Sequence, residues 1–255
     1  MAQNYDPRVF SSRLLEARNR KLGFTPVATD LPPSTPDEAY AVQAEVMAQL
    51  GPAGAFKTGR TSPDGPQVMA PIDAYGVRLS PAVFTADEMR LVGIELEIAF
   101  RIDGPIPDPD AAGFRQALWR AVSVLPVLEV VDSRLADHKT PDAFAKLADN
   151  QFNTGLVLGG AVALTEEIEL MSPAVDFHAT SGVLGRGRAA VPGGNAFDTF
   201  ADFVCMVGGH CGGLRAGQVV TTGALTGLHW IAKGETVRGT IEGLGSVEVR
   251  FEGRD

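Results

Sequence analysis

The chain has little of what marks several large classes of protein. Only 2 of its 255 residues are cysteine. Cys205 and Cys211 sit in or beside an apolar helix-like run without CxxC spacing, so they read as buried free thiols, not as a disulfide or a zinc site. The 4 histidines (His138, His178, His210 and His229) are scattered and form no HxH or HExxH pattern. No apolar run approaches the roughly 20 residues of a membrane span; Gly213 to Gly223, for instance, is broken by Arg215 and Gln218. The 22 basic residues face 31 acidic ones, a net charge of −9. They form no cluster, which argues against a nucleic-acid groove or an anionic membrane surface. Met1 to Asp6 lacks the basic start and apolar core of an export signal. There is no internal repeat and no low-complexity tract. The expectation is a soluble cytoplasmic protein.

What is present is ordinary globular composition, 45% hydrophobic and 21% charged. The length suits one large domain, or one domain with an appendage. Asp6-Pro7 and Thr35-Pro36 are helix starts, with a capping side chain followed by proline. Apolar stripes follow each, Phe10, Leu14 and Ala17 on the first helix and Ala39, Val42, Val46 and Leu50 on the second. Phe56-Lys57-Thr58 reads as a short strand. Ser62 to Tyr75 has no clear period and reads as a mobile lid. Phe114, Leu118, Val122 and Leu125 carry a further helical stripe. Asn195 opens a last helix bearing Phe197, Phe200 and Val204. Strands are read at 155–159, 162–172, 174–184, 218–222 and 237–241, and from Val247 to Phe251. Gly185-Arg186-Gly187 reads as a hairpin turn. This is not a regular βαβ alternation. The reading is α+β: residues 1–75 a helical N-terminal element and lid, residues 76–255 a β-rich catalytic body.

One stretch organises the rest. From Gly93 to Phe100, Ile94, Leu96, Ile98 and Phe100 alternate with Glu95, Glu97 and Ala99, the period of a β-strand. Glu95 and Glu97 then point the same way, with Cα atoms roughly 6.6 Å apart. They are either a solvated face or a pair that needs a cation between them. Val127-Leu128-Glu129-Val130-Val131 places a third carboxylate inside an apolar strand, where an unpaired charge is costly. That favours a shared cation. An all-oxygen donor set suits hard divalent ions, Mg²⁺ first, then Mn²⁺ or Ca²⁺.

Several segments occur together in one order: Gly93 to Phe100, Leu125 to Arg134, Ala148-Asp149-Asn150, Thr222-Gly223-Ala224-Leu225 and Ile241 to Val247. In this the chain resembles the 2-keto-4-pentenoate hydratase and 4-oxalocrotonate decarboxylase group of the fumarylacetoacetate hydrolase superfamily, from about Ala39 to Phe251. The resemblance implies a mixed β-roll or barrel. It implies Mg²⁺ or Mn²⁺ held by Glu95, Glu97 and Glu129, with Lys57 as a catalytic residue. Asp73 stands one position away from an acidic residue that the hydratases carry in the lid, and is read as the second catalytic residue. Arg134, Asp149, Asn150, Thr222 and Gly223 are the substrate-binding set. Two further departures from the group lie at His138-Lys139, where a Trp is common, and at Gln151-Phe152-Asn153, where small residues are common.

The activity implied is a divalent-metal hydratase acting on a 2-hydroxydienoate or 2-oxoalkenoate, with a homo-oligomer as the assembly. Lys57 would move protons if burial near the cation depresses its pKa. A 4-oxalocrotonate-type decarboxylase is the near alternative, and a non-catalytic 2-oxoacid-binding homologue is the rival from another class. Hydrolysis of an acylpyruvate is disfavoured, because no histidine precedes His138.

Overall fold

The computed structural model describes residues 5–253. Met1 to Asn4, most of the stretch read for an export signal, lies outside them. The elements in order are α1 (Pro7–Arg20), α2 (Pro36–Leu50), β1 (Ala53–Gly59), β2 (Val68–Asp73), β3 (Val77–Leu79), β4 (Ala82–Phe84) and β5 (Val92–Ile102). Then follow α3 (Phe114–Arg120), β6 (Val122–Val131), α4 (Ala143–Ala148), β7 (Asn153–Leu158), β8 (Val162–Ala163), β9 (Ala174–Ala179) and β10 (Gly182–Arg188). The last are α5 (Ala196–Val207), β11 (Val219–Ala224), β12 (His229–Ile231), β13 (Thr236–Ile241) and β14 (Gly245–Phe251). Among the described residues no helix is long and apolar enough to cross a membrane.

The helix starts follow their capping chemistry. Asp6 accepts from the Arg8 amide, Thr35 from the Glu38 amide, and Asn195 from the Phe197 and Asp198 amides. Each satisfies a backbone donor that the first helical turn leaves without a partner. The stripes Phe10–Leu14 and Ala39–Val42–Val46 are buried, in one apolar cluster with Val131, Leu147 and Phe152. α1 and α2 therefore close over the end of β6 and over α4.

The strands form an open α+β fold of two mixed sheets. One is 9-stranded, with path β2-β1-β11-β5-β6-β7-β3, β12 added on β5 and β8 on β6. The other is 5-stranded, β10-β9-β13-β14-β4. No barrel closes, so the expected roll or barrel takes its open form. The sheets share a core in which Leu96, Ile98 and Phe100 meet Phe177, Val237 and Val249. Gly239 is a close-approach position there: a Cβ on it would lie 2.5 Å from Leu96 Cδ1.

Several readings shift. The boundary expected at residue 75 runs through one sheet, because β1 pairs in parallel with β11 and β2 pairs with β1. Of the expected lid, Val68–Asp73 is strand β2. Val162 to Ser172 contributes only the two residues of β8, and Gly185–Gly187 lies inside β10, whose hairpin turns at Thr180–Ser181. Glycine spacing alone does not say whether a glycine turns the chain or loosens a strand. The expected water-facing side of β5 is also absent. Every residue of β6 is buried, and β5 exposes only Glu95 and Arg101 in part. The side bearing the glutamates packs Ala99, Leu125 and Val127 against Ala55 and Ile72 of β1 and β2.

Candidate metal centre and active site

The site grows from the pairing of β5 with β6. Their register sets Glu95 opposite Glu129 and Glu97 opposite Val127. Directly opposed residues project to one side, as do residues two apart. The three carboxylates therefore converge, each offering an oxygen within 4.8 Å of the others. Glu129 is 0% exposed and Glu97 1%. The solvated-face reading is thereby excluded.

Lys57 arrives from two strands away. β11 lies between β1 and β5, with Lys57 beside Thr221 and Thr221 opposite Ala99. The lysine reaches across, and its Nζ donates to Glu129 Oε1 at 2.5 Å, with Glu95 Oε2 at 3.8 Å. Asn153, the first residue of β7, donates its Nδ2 to the same Glu129 oxygen at 3.1 Å. β11 is irregular between Thr221 and Ala224. There Gly223 takes φ 109°, a backbone shape that side chains oppose, and donates its N–H to Glu97 Oε2 at 2.8 Å.

One lysine faces three carboxylates, and the imbalance shows in their protonation. Burial, then the charges of Glu129 and Glu95, pushes Glu97 up to about 8, with Lys57 opposing. Burial also raises Glu129, again against Lys57. For Lys57, burial acts to lower the pKa, but Glu129, Glu95 and Glu97 outweigh it and the net direction is upward. Among these carboxylates alone burial does not depress the lysine, because three negative neighbours exceed its cost. Glu129 Oε2 is buried and has no hydrogen-bond partner. An orphaned carboxylate oxygen beside two more carboxylates fits a hard divalent cation, and the donor set is all oxygen.

Lys57, Glu95, Glu97 and Gly223 line a cavity of about 750 Å³, and Glu129 is buried against Lys57 outside the lining. Its walls are largely apolar, including Val68, Met69, Leu147, Phe152 and Leu228. Two further cations line it. Arg60 is fully engaged, by Asp202 at 2.7 Å, by Gln67 and by the Pro63 carbonyl. Lys146, from α4, sits with Nζ 5.5 Å from the centre of the Phe152 ring. Burial, then the charge of Lys57, lowers its pKa, and Glu95 and Glu129 oppose the shift.

The structure brings together Lys57, Glu95, Glu97, Glu129 and Gly223. The other expected residues lie outside the cavity lining, as Glu129 does. Asp73 ends β2, accepts from the Tyr75 amide and pairs with Arg18 at 3.3 Å. Arg134 and Asp149 form a buried ion pair at 2.5 Å, and burial pushes Asp149 up to about 6 against the pull of Arg134. Arg134 also donates to the Asn153 carbonyl at 3.1 Å, which anchors the residue whose side chain holds Glu129. Asn150 turns its Nδ2 toward Met47 Sδ, and Thr222 donates to the Ile98 carbonyl at 2.9 Å. His138 packs edge-on against Trp230 and is not in the cavity lining.

Sequence reasoning missed Asn153, Gln151 and Lys146. Asn150, Gln151 and Phe152 have φ of 49°, 53° and 67°, three successive left-handed residues that are not glycine. Such residues cost about 1–3 kcal/mol each and gather at functional sites. Here the turn brings Gln151 and Phe152 to the cavity lining and leaves Asn153 beside Glu129. The polar run Asp149 to Asn153 was the available signal.

The family described as fumarylacetoacetate (FAA) hydrolase C-terminal matches residues 42–252. The chain belongs to this family. A 4-oxalocrotonate decarboxylase of Pseudomonas putida is 27% identical, over 88% of this chain and 89% of that protein. A 2-keto-4-pentenoate hydratase of Paraburkholderia phymatum is 28% identical, over 94% and 95%. Among solved structures, 4-oxalocrotonate decarboxylase from Pseudomonas putida G7, complexed with magnesium and adipate, superposes with a TM-score of 0.79 at 24% identity, over 98% of this chain and 99% of that one.

Proposed function

We propose that the chain is a divalent-metal-dependent lyase that adds water to a 2-hydroxydienoate or 2-oxoalkenoate. The observation that carries the proposal is the trio Glu95, Glu97 and Glu129, joined by Lys57, with Lys57, Glu95 and Glu97 opening onto a mainly apolar cavity. These glutamates would hold Mg²⁺ or Mn²⁺, the class of ion also present in solved relatives. When bound, the ion supplies Lewis-acid stabilisation of the negative charge that develops on the substrate's C2 oxygen.

The chain's own groups do the rest. Lys57 Nζ, held by Glu129, keeps its proton at neutral pH and is the acid that delivers it to the terminal carbon of the dienol, while the C2 hydroxyl proton passes back to the lysine as the 2-oxo form appears. That step conjugates the remaining double bond with the ketone and makes its far carbon electrophilic toward water. Asn153 and Gly223 fix the carboxylates Glu129 and Glu97, so no reorganisation is needed as charge moves. The apolar walls exclude bulk water from the polar end of the substrate. Asp73, Arg134, Asp149, Asn150 and Thr222 act as supports: they hold the turn before β7 and the ends of β2 and β11. Oligomerisation belongs to the same reading. Tyr75 and Leu79, 83% and 75% exposed, are the apolar surface such an assembly would cover. Two free cysteines suit the reducing cytoplasm.

A second reading, decarboxylation of a vinylogous 2-oxo diacid, is favoured by relatives carrying that name at 27% and 28% identity. Incubation with Mg²⁺ and a panel of 2-hydroxydienoates and 2-oxoalkenoates, with products read by mass, decides between them. Gain of water supports the hydratase and loss of CO₂ the decarboxylase. Full turnover after chelation would overturn the metal-dependent reading altogether.

A further inference from the structure

The cavity holds a cation that the metal centre does not use. A divalent ion together with Lys57 balances the three glutamates, so Lys146 is a surplus positive charge on the same cavity. It is half-buried on α4, and among the described residues its Nζ makes no ion pair and no hydrogen bond. Its neighbour is the face of the Phe152 ring. A ring face steadies an ammonium without neutralising it. Arg60, the other cation on the lining, differs in kind, because Asp202 already compensates it.

The chain also invests in this placement. Phe152 is one of the three left-handed residues, and Gln151 beside it lines the same cavity. α4 is capped by Asp142, whose side chain accepts from the Phe144 and Ala145 amides, so the segment that carries Lys146 is ordered. A half-buried ammonium in mainly apolar walls, which feels Glu95 and Glu129 through space but makes no direct ion pair with them, is a receptor for an anionic group.

We propose that Lys146, with Phe152 and Gln151 behind it, binds a second carboxylate at the far end of the substrate, so that the cavity selects 2-oxo dicarboxylates over 2-oxo monocarboxylates. The proposal rests on the reading of the glutamate cluster as a metal-dependent 2-oxoacid site. One carboxylate and the C2 oxygen lie at the glutamate end, and the distal carboxylate lies against Lys146. The role is recognition, so it holds whichever lyase reaction follows.

Binding of unreactive, chain-matched pairs tests it: 2-oxoadipate against 2-oxohexanoate, and 2-oxoheptanedioate against 2-oxoheptanoate, each titrated calorimetrically with Mg²⁺. We expect at least one diacid to bind tenfold or more tighter than its monoacid. In Lys146→Met and Lys146→Gln that ratio should fall to about one to two, and Lys146→Arg should restore most of it. Raising the salt from 50 to 500 mM should narrow the wild-type ratio, because the contact is electrostatic. A wild-type ratio below threefold for both pairs overturns the proposal while leaving the 2-oxoacid site standing. A ratio unchanged in the two neutral variants also overturns it. Failure of all four acids to bind with Mg²⁺ overturns the site reading and this proposal together. The ratio is taken within each protein, so a general loss of affinity does not mimic the effect. The wild-type comparison needs no variant to fold.

Discussion

Replacing Glu97 by Gln should make the metal-free protein more stable and the metal-loaded protein less so. Glu97 is buried, and burial with its acidic neighbours lifts its pKa from 4.5 to about 8. Between those values the native state holds a proton that the unfolded chain has lost, so stability falls as pH rises through the window. Below about pH 4.5 both states are protonated and the penalty vanishes. At pH 8 the full difference corresponds to on the order of 5 kcal/mol. Relaxation and water entry reduce it, to about 2 kcal/mol. For a domain of this size each kcal/mol moves Tm by about 2–4 °C, hence about 4–8 °C in all.

Gln is neutral and nearly isosteric, and its Oε1 still accepts the Gly223 N–H, so no donor is orphaned. Melting curves in chelator at pH 8 and pH 5, repeated with Mg²⁺, measure the effect. Glu97→Gln should melt higher than wild type at pH 8, and the gap should close toward pH 5. With Mg²⁺ the order should reverse, because an ion at a hundredfold over its Kd adds about 2.7 kcal/mol to whichever protein binds it. A variant that melts no higher than wild type at pH 8 in chelator, or that gains as much from Mg²⁺, would refute the reasoning.

Other substitutions separate chemistry from support. Lys57→Met should remove most turnover and leave Glu129 buried beside unbalanced charge, costing about 3–5 kcal/mol without metal; chelator melts and single-turnover rates read the two effects. Asn153→Ala removes the hydrogen bond to Glu129 Oε1. It should weaken Mg²⁺ binding about tenfold by calorimetry, with about 1–2 kcal/mol lost in urea unfolding. Arg134→Met strands Asp149 and should cost about 3–5 kcal/mol. If Arg134 instead bound substrate, KM would rise with little change in stability. Gly223→Ala meets no atom closer than 3.7 Å, so its expected loss of about 1–2 kcal/mol and of metal affinity comes from the φ of 109° alone.

Whatever depends on local periodicity and local chemistry was legible in the sequence. Alternation put Glu95 and Glu97 on one side of a strand. An apolar run around Glu129 marked a charge that needed a partner. Asp6, Thr35 and Asn195 announced their helices, because a cap acts within three residues. The ordered segments from Gly93 to Val247 carried the family. None of this states which strand lies beside which. The path β1-β11-β5-β6 brings Lys57 to Glu129 across 72 positions of sequence. The cover of β1 and β2 over the second side of β5 turns an ambiguous pair of glutamates into a buried cluster. Asp73, Arg134 and Asp149 read as site residues because they stand at or beside positions that the family resemblance places in the site. Arg18 claims the first, and the other two claim each other, and only packing could decide that. Lys146 is an ordinary lysine in sequence; the left-handed turn that sets Phe152 beneath it, and the absence of a direct ion pair at its Nζ among the described residues, are properties of the folded chain. Charge and periodicity are local, but compensation of charge is settled by distance through space, which only the packing of the strands sets.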